Sequence, residues 1–303
     1  MELLKAIAEI RTPFLDTLIG LITRLGEETI GIFLMCLFFW CISKKVAYVI
    51  GVSFFLSGLT VQGMKILFRI ERPWVIDPTF VPVPGAIEYA TGYSFPSGHT
   101  QSAAAFYGSL GAMAKQMPLK IVLFAVPVLV AFSRMYLGVH TLEDVVVSLI
   151  ITFLLIFISV KILSSETICM KRELIISSVI ILYAIAVIII AATLYSNGTI
   201  EDRYIADCLK AAGAGIGFAV GMFLERVYIK FSTKTNKPLM QPLKFIIGII
   251  GVIAFQEGLK YIIGTGFIVD MFRYFLMISW VTILFPLIIK RFFAEKEETP
   301  QSS

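Results

Sequence analysis

Long apolar runs recur along the whole chain and are separated by short polar gaps. A helix that crosses a bilayer needs about 20 mainly apolar residues, so these runs predict membrane-spanning helices. We therefore predict an all-α protein, a polytopic transmembrane helical bundle of about nine spans. The predicted spans are 28-43, 46-67, 99-115, 118-137, 140-163, 173-195, 205-225, 241-263 and 268-290.

Residues 1-27 have a different pattern from the spans. Phe14, Leu18 and Leu25 recur at helical spacing, and charged side chains such as Asp16 and Arg24 lie between them. This amphipathic pattern predicts a helix that lies in the plane of the membrane interface. An extended first span is the alternative.

Composition supports a membrane protein and argues against a nucleic-acid partner. Of the 303 residues, 58% are hydrophobic and 16% are charged, whereas a soluble domain has about 25% charged residues. The net charge is +5, and most basic residues lie in alternate short gaps, which we predict to be cytoplasmic. These gaps hold Lys44 and Lys45, Lys115 and Lys120, Lys161, Lys171 and Arg172, the run from Arg226 to Lys237, and Lys290 and Arg291.

The chain has only two histidines, His99 and His140, and both fall at predicted outer helix ends. Three cations, Lys65, Arg72 and Arg134, are predicted to lie at the same side of the membrane. Ionisable groups at membrane depth are costly, so they mark candidate sites. Contact with lipid headgroups would explain one such cation easily, but not three beside two histidines.

Three motifs carry these residues in a fixed order. They are KxxxxxxRP from Lys65 to Pro73, PSGH from Pro96 to His99, and SRxxxxxHxxxD from Ser133 to Asp144. In motif order and spacing, the chain resembles the type 2 phosphatidic acid phosphatase (PAP2) superfamily. That superfamily also contains glucose-6-phosphatase and the vanadium haloperoxidases. The resemblance covers roughly residues 11-163.

The chemistry of the residues points to a phosphate site. Two guanidinium groups and one ammonium group suit phosphate oxygens, so Lys65, Arg72 and Arg134 form a predicted phosphate clamp. Ser97 and Gly98 precede a predicted helix whose free N–H groups favour an anion. An ordinary helix cap is the alternative for Ser97 and Gly98.

His140 and Asp144 are four residues apart and share one helix face if the helix has begun by His140. The carboxylate can then fix the imidazole tautomer and leave Nε2 free as a nucleophile. The resemblance implies that His140 forms a phosphohistidine and that His99 is the general acid. It also implies no metal and no other cofactor.

We predict four regions, which are an interfacial amphipathic segment (1-27), a PAP2-like catalytic helical core (28-163), a C-terminal transmembrane extension (164-293) and a polar tail (294-303). The extension loosely resembles the glucose-6-phosphatase branch. We predict an integral membrane phosphatase of a bacterial plasma membrane, with its site on the extracytoplasmic side. Its predicted substrate is a lipid phosphate or diphosphate, of the polyprenyl diphosphate or phosphatidate type.

Two alternatives stay open at this point. A sugar-phosphate phosphatase is the first, and a transporter or flippase that binds phosphate without cleaving it is the second. The expected partners are the lipid phosphate substrate and membrane lipids. The sequence does not determine the oligomeric state.

Overall fold

A computed structural model describes residues 1–88, 90–163, 168–235 and 238–293. The predicted polar tail and Lys237 lie outside the described residues. Every regular element in the described ranges is helical. The helices are α1 (Glu2–Glu9), α2 (Pro13–Arg24), α3 (Glu28–Ile42), α4 (Lys44–Phe68), α5 (98–113), α6 (Met117–Tyr136), α7 (Leu142–Leu163), α8 (Met170–Ser196), α9 (Asp202–Ile229), α10 (Met240–Ile263) and α11 (Phe267–Phe292).

The all-α, polytopic bundle is confirmed, and its helices follow the predicted spans. Within the described residues, seven helices, α4 and α6 to α11, are long and apolar enough to cross a membrane. The other two predicted spans correspond to α3 and α5, which are shorter than the about 17 residues that a crossing helix usually needs. The described residues therefore contain seven helices of spanning length, or eight spans if α2 and α3 together form one.

The N-terminal helices α1 and α2 pack against α6. Leu4, Ile7 and Ile19 are buried in one cluster with residues of α6. α2 and α3 meet at an angle of 44°, and together they pass the length and apolarity test for one broken span. The geometry is therefore compatible with both sequence interpretations of residues 1-27, the interfacial helix and the extended span.

The central helix of the C-terminal half is α9, which packs against α8, α11 and α4. Its small residues allow α11 to approach closely. A Cβ atom on Gly213 would lie 2.1 Å from the Met271 carbonyl oxygen, and one on Gly217 would lie 2.8 Å from the Phe275 carbonyl oxygen. Glycines spaced four apart are a common device for packing membrane helices.

Helix direction alternates along the chain, so the helix ends collect at two ends of the bundle. We call the end that holds Lys65, His99 and His140 the site end. The opposite end holds Lys44, at the start of α4, and the C-terminal part of α9. The ends of α4, α6 and α8 and the starts of α5, α7 and α9 therefore lie at the site end.

Candidate active site

The three motifs meet around one cavity of about 340 Å³ at the site end. Each motif lies where a helix ends or begins, which brings residues far apart in sequence into one layer. The motif residues that line the cavity are Lys65, Arg72, Gly98, His99, Arg134 and His140.

His140 is held at both ring nitrogens. Its Nδ1 lies 3.2 Å from Oδ2 of Asp144, and its Nε2 lies 2.9 Å from Nη1 of Arg72. A guanidinium group can only donate hydrogen bonds, so Nε2 must be the acceptor and Nδ1 must carry the proton. The geometry therefore selects the tautomer whose Nε2 lone pair faces a cation at the cavity.

Asp144 is almost fully buried, with 1% of its surface exposed. Besides His140, its Oδ2 accepts hydrogen bonds from the Ser94 hydroxyl and from the Thr141 backbone N–H, at 2.5 and 2.8 Å. These donors stabilise the carboxylate form and fix its direction. The sequence analysis did not identify Ser94, because a single serine in a long loop carries no spacing signal.

Arg72 is fixed by backbone oxygens. Its Nη1 donates to the Val139 carbonyl oxygen at 2.8 Å, and its Nε and Nη2 donate to the carbonyl oxygens of Gly92 and Thr91 at 2.9 and 2.8 Å. A guanidinium group held by several acceptors is oriented before any ligand arrives. Arg72 therefore contributes a positioned positive charge beside Nε2 of His140.

The other two cations have fewer protein partners. Lys65 Nζ donates to the Tyr93 carbonyl oxygen at 2.5 Å, and Arg134 Nη1 donates to Oγ1 of Thr23 at 3.0 Å. Nε of Arg134 is buried and has no hydrogen-bond partner among the described residues. A buried N–H without a partner is costly, and an anion in the cavity would remove that cost.

His99, Gly98 and Ser97 differ in where they lie. His99 is partly exposed and lines the cavity together with Gly98. A Cβ atom on Gly98 would meet no atom within 4 Å, so the space beside this glycine is open. Ser97 is fully buried and does not line the cavity, and its Oγ accepts from the Thr100 backbone N–H as the cap of α5.

The charges around the site act on His140, which lies in the turn between α6 and α7. Burial of the ring, together with the nearby charges of Arg72 and Arg134, lowers the pKa of His140 well below its ordinary value of 6.5. The cause is physical, since a second positive charge is unfavourable in a buried, cationic site. The imidazole is therefore neutral at neutral pH.

The C-terminal extension also lines this cavity, which the sequence did not predict. Tyr204, Asp207 and Lys210 of α9 and Tyr274 and Met277 of α11 form part of the wall. Asp207 and Lys210 pair with each other, Nζ to Oδ1 at 3.4 Å, and both are partly exposed. The only sequence signal for them is the presence of polar residues inside a predicted span.

Comparison with known proteins places the same residues in a family. Residues 46–168 match the model of the PAP2 superfamily, and residues 209–297 match that of the PAP2 superfamily phosphatase transmembrane extension. The chain is 29% identical over 174 residues to phosphatidylglycerophosphatase B of Bacillus subtilis (strain 168). This match covers 51% of this chain and 78% of that protein.

One solved structure is also similar, that of the first transmembrane PAP2 type phosphatidylglycerolphosphate phosphatase from Bacillus subtilis. It is 26% identical and has a TM-score of 0.46, and the match covers 54% of this chain and 84% of that chain.

Proposed function

Because the chain is a phosphatase that belongs to the PAP2 superfamily, we propose that it hydrolyses a lipid phosphate or diphosphate through a phosphohistidine on His140. The observation that carries this proposal is the position of Nε2 of His140. That nitrogen carries no proton and lies at the cavity with Asp144 behind the ring, and its lone pair can attack once a phosphate oxygen takes over the hydrogen bond from Arg72. A site that only bound phosphate would not need an imidazole oriented by a carboxylate.

The first chemical step is an attack of His140 Nε2 on phosphorus. The Nε2–P bond forms as the P–O bond to the leaving group breaks, and His99, protonated in the complex with the anionic substrate, donates a proton to the leaving oxygen. Asp144 keeps the Nδ1 proton in place and stabilises the positive charge that develops on the ring. The leaving group is an alcohol from a monoester or a monophosphate from a diphosphate.

The second step returns the enzyme to its starting state. His99, now neutral, takes a proton from a water molecule, and the water oxygen attacks phosphorus. The Nε2–P bond breaks, and inorganic phosphate leaves the cavity. His99 can exchange roles because the loss of its proton in the first step leaves it able to accept a proton from water in the second step.

Charge on the transferring phosphoryl group is balanced by the protein in this proposal. Lys65, Arg72 and Arg134 supply the positive charge that metal ions supply at many other phosphoryl-transfer sites. Positioned cations in a site closed to bulk water stabilise a developing charge more than mobile ions do. We therefore propose that catalysis needs no metal ion.

The shape of the cavity supports a lipid substrate. Below the cations, the cavity is lined by apolar side chains that include Ile32, Met35, Phe54 and Ile278. The path along α4 from Lys65 to Phe54 covers about 16 Å at 1.5 Å per helical residue. A hydrocarbon chain would fit that wall, whereas a small polar substrate would leave it uncovered.

A sugar-phosphate phosphatase is the second candidate, and a different observation favours it. Asp207 and Lys210 present a carboxylate and an ammonium group to the same cavity. Such a pair offers an acceptor and donors for a hydroxyl group. A glycerol headgroup would use the pair equally well, so the pair alone does not distinguish the two substrate classes.

We place the site on the extracytoplasmic side of a bacterial plasma membrane. The support is the charge asymmetry, since Lys44, Arg226, Lys230 and Lys290 lie at the opposite end of the bundle and basic gaps favour the cytoplasm. A polyprenyl diphosphate or a phosphatidate-type lipid would then be dephosphorylated in the outer leaflet.

Phosphate release by the purified protein, in excess EDTA, tests this proposal. The panel contains a polyprenyl diphosphate, phosphatidate, phosphatidylglycerophosphate and glucose 6-phosphate. We expect kcat/KM for at least one long-chain lipid to exceed that for glucose 6-phosphate by about a hundredfold, roughly 2.7 kcal/mol of transition-state preference. Equal or faster turnover of glucose 6-phosphate would contradict the lipid assignment, and a strict need for added metal would contradict the metal-free mechanism.

A further inference from the structure

Four consecutive residues, 91–94, hold several parts of the candidate site at once. They form a segment without regular secondary structure, and they contact two cations and the carboxylate behind His140. The contacts are Arg72 Nη2 to Thr91 O (2.8 Å), Arg72 Nε to Gly92 O (2.9 Å), Lys65 Nζ to Tyr93 O (2.5 Å) and Ser94 Oγ to Asp144 Oδ2 (2.5 Å). The position of this segment therefore sets the geometry of the site.

A loop can fix catalytic groups only if something fixes the loop. The Tyr93 ring stacks on the Tyr204 ring, with ring centroids 4.1 Å apart and an angle of 13° between the planes. Both tyrosines are buried, with 8% and 6% of their surfaces exposed. A Cβ atom on Gly92 would lie 3.5 Å from Cε1 of Tyr204, so the segment runs directly over that ring.

Tyr204 lies in the first turns of α9, which belongs to the C-terminal extension and contributes no motif residue. The extension thus contacts the segment that orients the phosphate clamp through an aromatic stack. On the core side, the segment is also tied by the Ser94 backbone N–H, which donates to the Ile70 carbonyl oxygen at 2.8 Å. The segment is therefore held between the core and the extension.

We propose that Tyr204 is a positioning residue through which the C-terminal extension sets the phosphate clamp. This proposal rests on the proposed function. Tyr204 acts by holding the backbone at residues 91–93, whose carbonyl oxygens orient Lys65 and Arg72. Offset stacking of two rings restricts movement of the segment along the ring plane and away from α9. Without the stack, the carbonyl oxygens and the cations that they hold would move together.

Removal of the stack should misplace the cations that stabilise the transition state, while the residues that carry out the chemical steps remain. A displacement of about 1 Å in a positioning group can reduce a rate by about a hundredfold. The stack consists of rings, so Tyr204→Phe should keep it and Tyr204→Ala should remove it. Tyr204 also lines the cavity, so the phenylalanine variant, which loses only the hydroxyl, is the decisive one.

The test measures two quantities on Tyr204→Ala, Tyr204→Phe and a control. The quantities are kcat/KM on the best substrate of the panel and the Kd of orthovanadate by calorimetry, which reports the clamp without turnover. The control is Tyr195→Ala, since Tyr195 also forms an aromatic pair at this end of the extension, with Phe267 at 5.6 Å, and does not line the cavity.

We expect Tyr204→Ala to lower kcat/KM by about 10–100-fold and to weaken vanadate binding by a similar factor. Tyr204→Phe should stay within about threefold of wild type on both quantities because its ring is kept, and Tyr195→Ala should not differ from wild type. In a double-mutant cycle with Tyr93→Ala, the two losses should not add, because each change removes the same stack.

Two results would overturn the positioning role. If Tyr204→Phe loses as much as Tyr204→Ala, the hydroxyl contacts the substrate directly. If Tyr204→Ala lowers only the melting temperature and leaves vanadate affinity unchanged, the stack is structural. Failure of wild type to bind vanadate and to release phosphate would instead contradict the proposed function, so the two failures are distinguishable.

Discussion

The two ends of the helical bundle both bury charged side chains, but they balance the charge differently. At the opposite end, the two buried carboxylates Glu173 and Glu225 each pair with a cation. Lys44 Nζ lies 2.7 Å from Oε1 of Glu225, and Arg226 Nε lies 2.8 Å from Oε2 of Glu173. The second oxygen of Glu225 accepts a hydrogen bond from the Tyr48 hydroxyl.

At the site end, three cations surround a cavity whose nearest buried carboxylate is otherwise engaged. Asp144 accepts hydrogen bonds from His140, Ser94 and the Thr141 backbone. Lys65 and Arg72 donate to backbone carbonyl oxygens instead of carboxylates. Among the described residues, Lys65, Arg72 and Arg134 therefore form no ion pair with a carboxylate.

The difference separates structural charges from binding charges. A buried ion pair whose members satisfy each other holds helices together and needs no ligand. A buried group of like charges raises the energy of the empty protein, and a phosphate group would lower that energy when it binds. The predictions below test this contrast from the largest expected effect to the smallest.

Substitution of His140 should give the largest effect. In His140→Asn we expect turnover to fall by at least about 10⁴-fold, as for the loss of other nucleophilic or triad residues. The matched control is Glu143→Gln, which changes an exposed carboxylate one helical position before Asp144 and should keep wild-type turnover. Steady-state phosphate release measures both variants, and normal turnover by the histidine variant would eliminate its role as nucleophile.

Removal of one charge at each end should separate activity from stability. Arg134→Gln removes a cation from the unbalanced end and should lower kcat/KM by about 10²–10³-fold without loss of stability. Glu225→Gln leaves Lys44 without its carboxylate and should lower the free energy of unfolding by about 2 kcal/mol, less than for a fully buried pair because Lys44 is 28% exposed.

Activity and denaturant unfolding of these two variants are measured side by side in the same detergent. The contrast between the two ends fails if Arg134→Gln is the less stable variant. It also fails if Glu225→Gln loses activity at a temperature at which it remains folded.

The pH dependence should reflect the cationic surroundings of His140. The pKa of this imidazole is lowered, mainly by burial, so its neutral, nucleophilic form persists below the ordinary value of 6.5. We expect the acid limb of kcat/KM that belongs to His140 to lie below pH 6.5 and to fall about tenfold per pH unit beneath it.

The pH profile of kcat/KM is measured with two substrates whose phosphate groups have different pKa values. An acid limb that appears at the same pH with both substrates belongs to the enzyme and not to the substrate. A shared acid limb at or above pH 6.5 would show that burial and the three cations do not dominate the titration of His140.

Labelling of single cysteines should show which end of the bundle faces which side of the membrane, with no expected loss of activity. Asn197 is exposed at the site end, and Lys234 is exposed at the opposite end. In a background whose four natural cysteines are replaced, Asn197→Cys should react with an impermeant thiol reagent on intact cells. Lys234→Cys should react only after lysis. The reverse pattern would place the site in the cytoplasm.

The sequence predicts those features that depend on long patterns or on fixed spacing. Apolar runs predict the helical bundle because every backbone group in a membrane must be satisfied within a helix. The PSGH motif and its two companion motifs are short and ordered, so they predict a PAP2-type phosphatase, and the family matches confirm that prediction.

The support around the motifs could not be predicted. Carbonyl oxygens of Thr91, Gly92 and Tyr93 hold the cations, and any residue type supplies a carbonyl oxygen. Tyr204 reaches the site from a helix more than a hundred residues beyond Tyr93. For Ser97 two interpretations were open, a phosphate contact and a helix cap, and the structure shows the cap contact; phosphate binding by Ser97 stays a prediction.

The central claim is that the unbalanced charge at the site end serves phosphoryl transfer to His140. The most direct measurement is rapid acid-free quenching of wild type and His140→Asn with a substrate labelled in its transferable phosphoryl group. We predict that wild type retains covalent label that is stable to base and released by mild acid, as expected of a phosphorus–nitrogen bond. His140→Asn should retain none. Label of the same acid lability on His140→Asn would contradict the claim, because the phosphoryl group would then be carried by another residue.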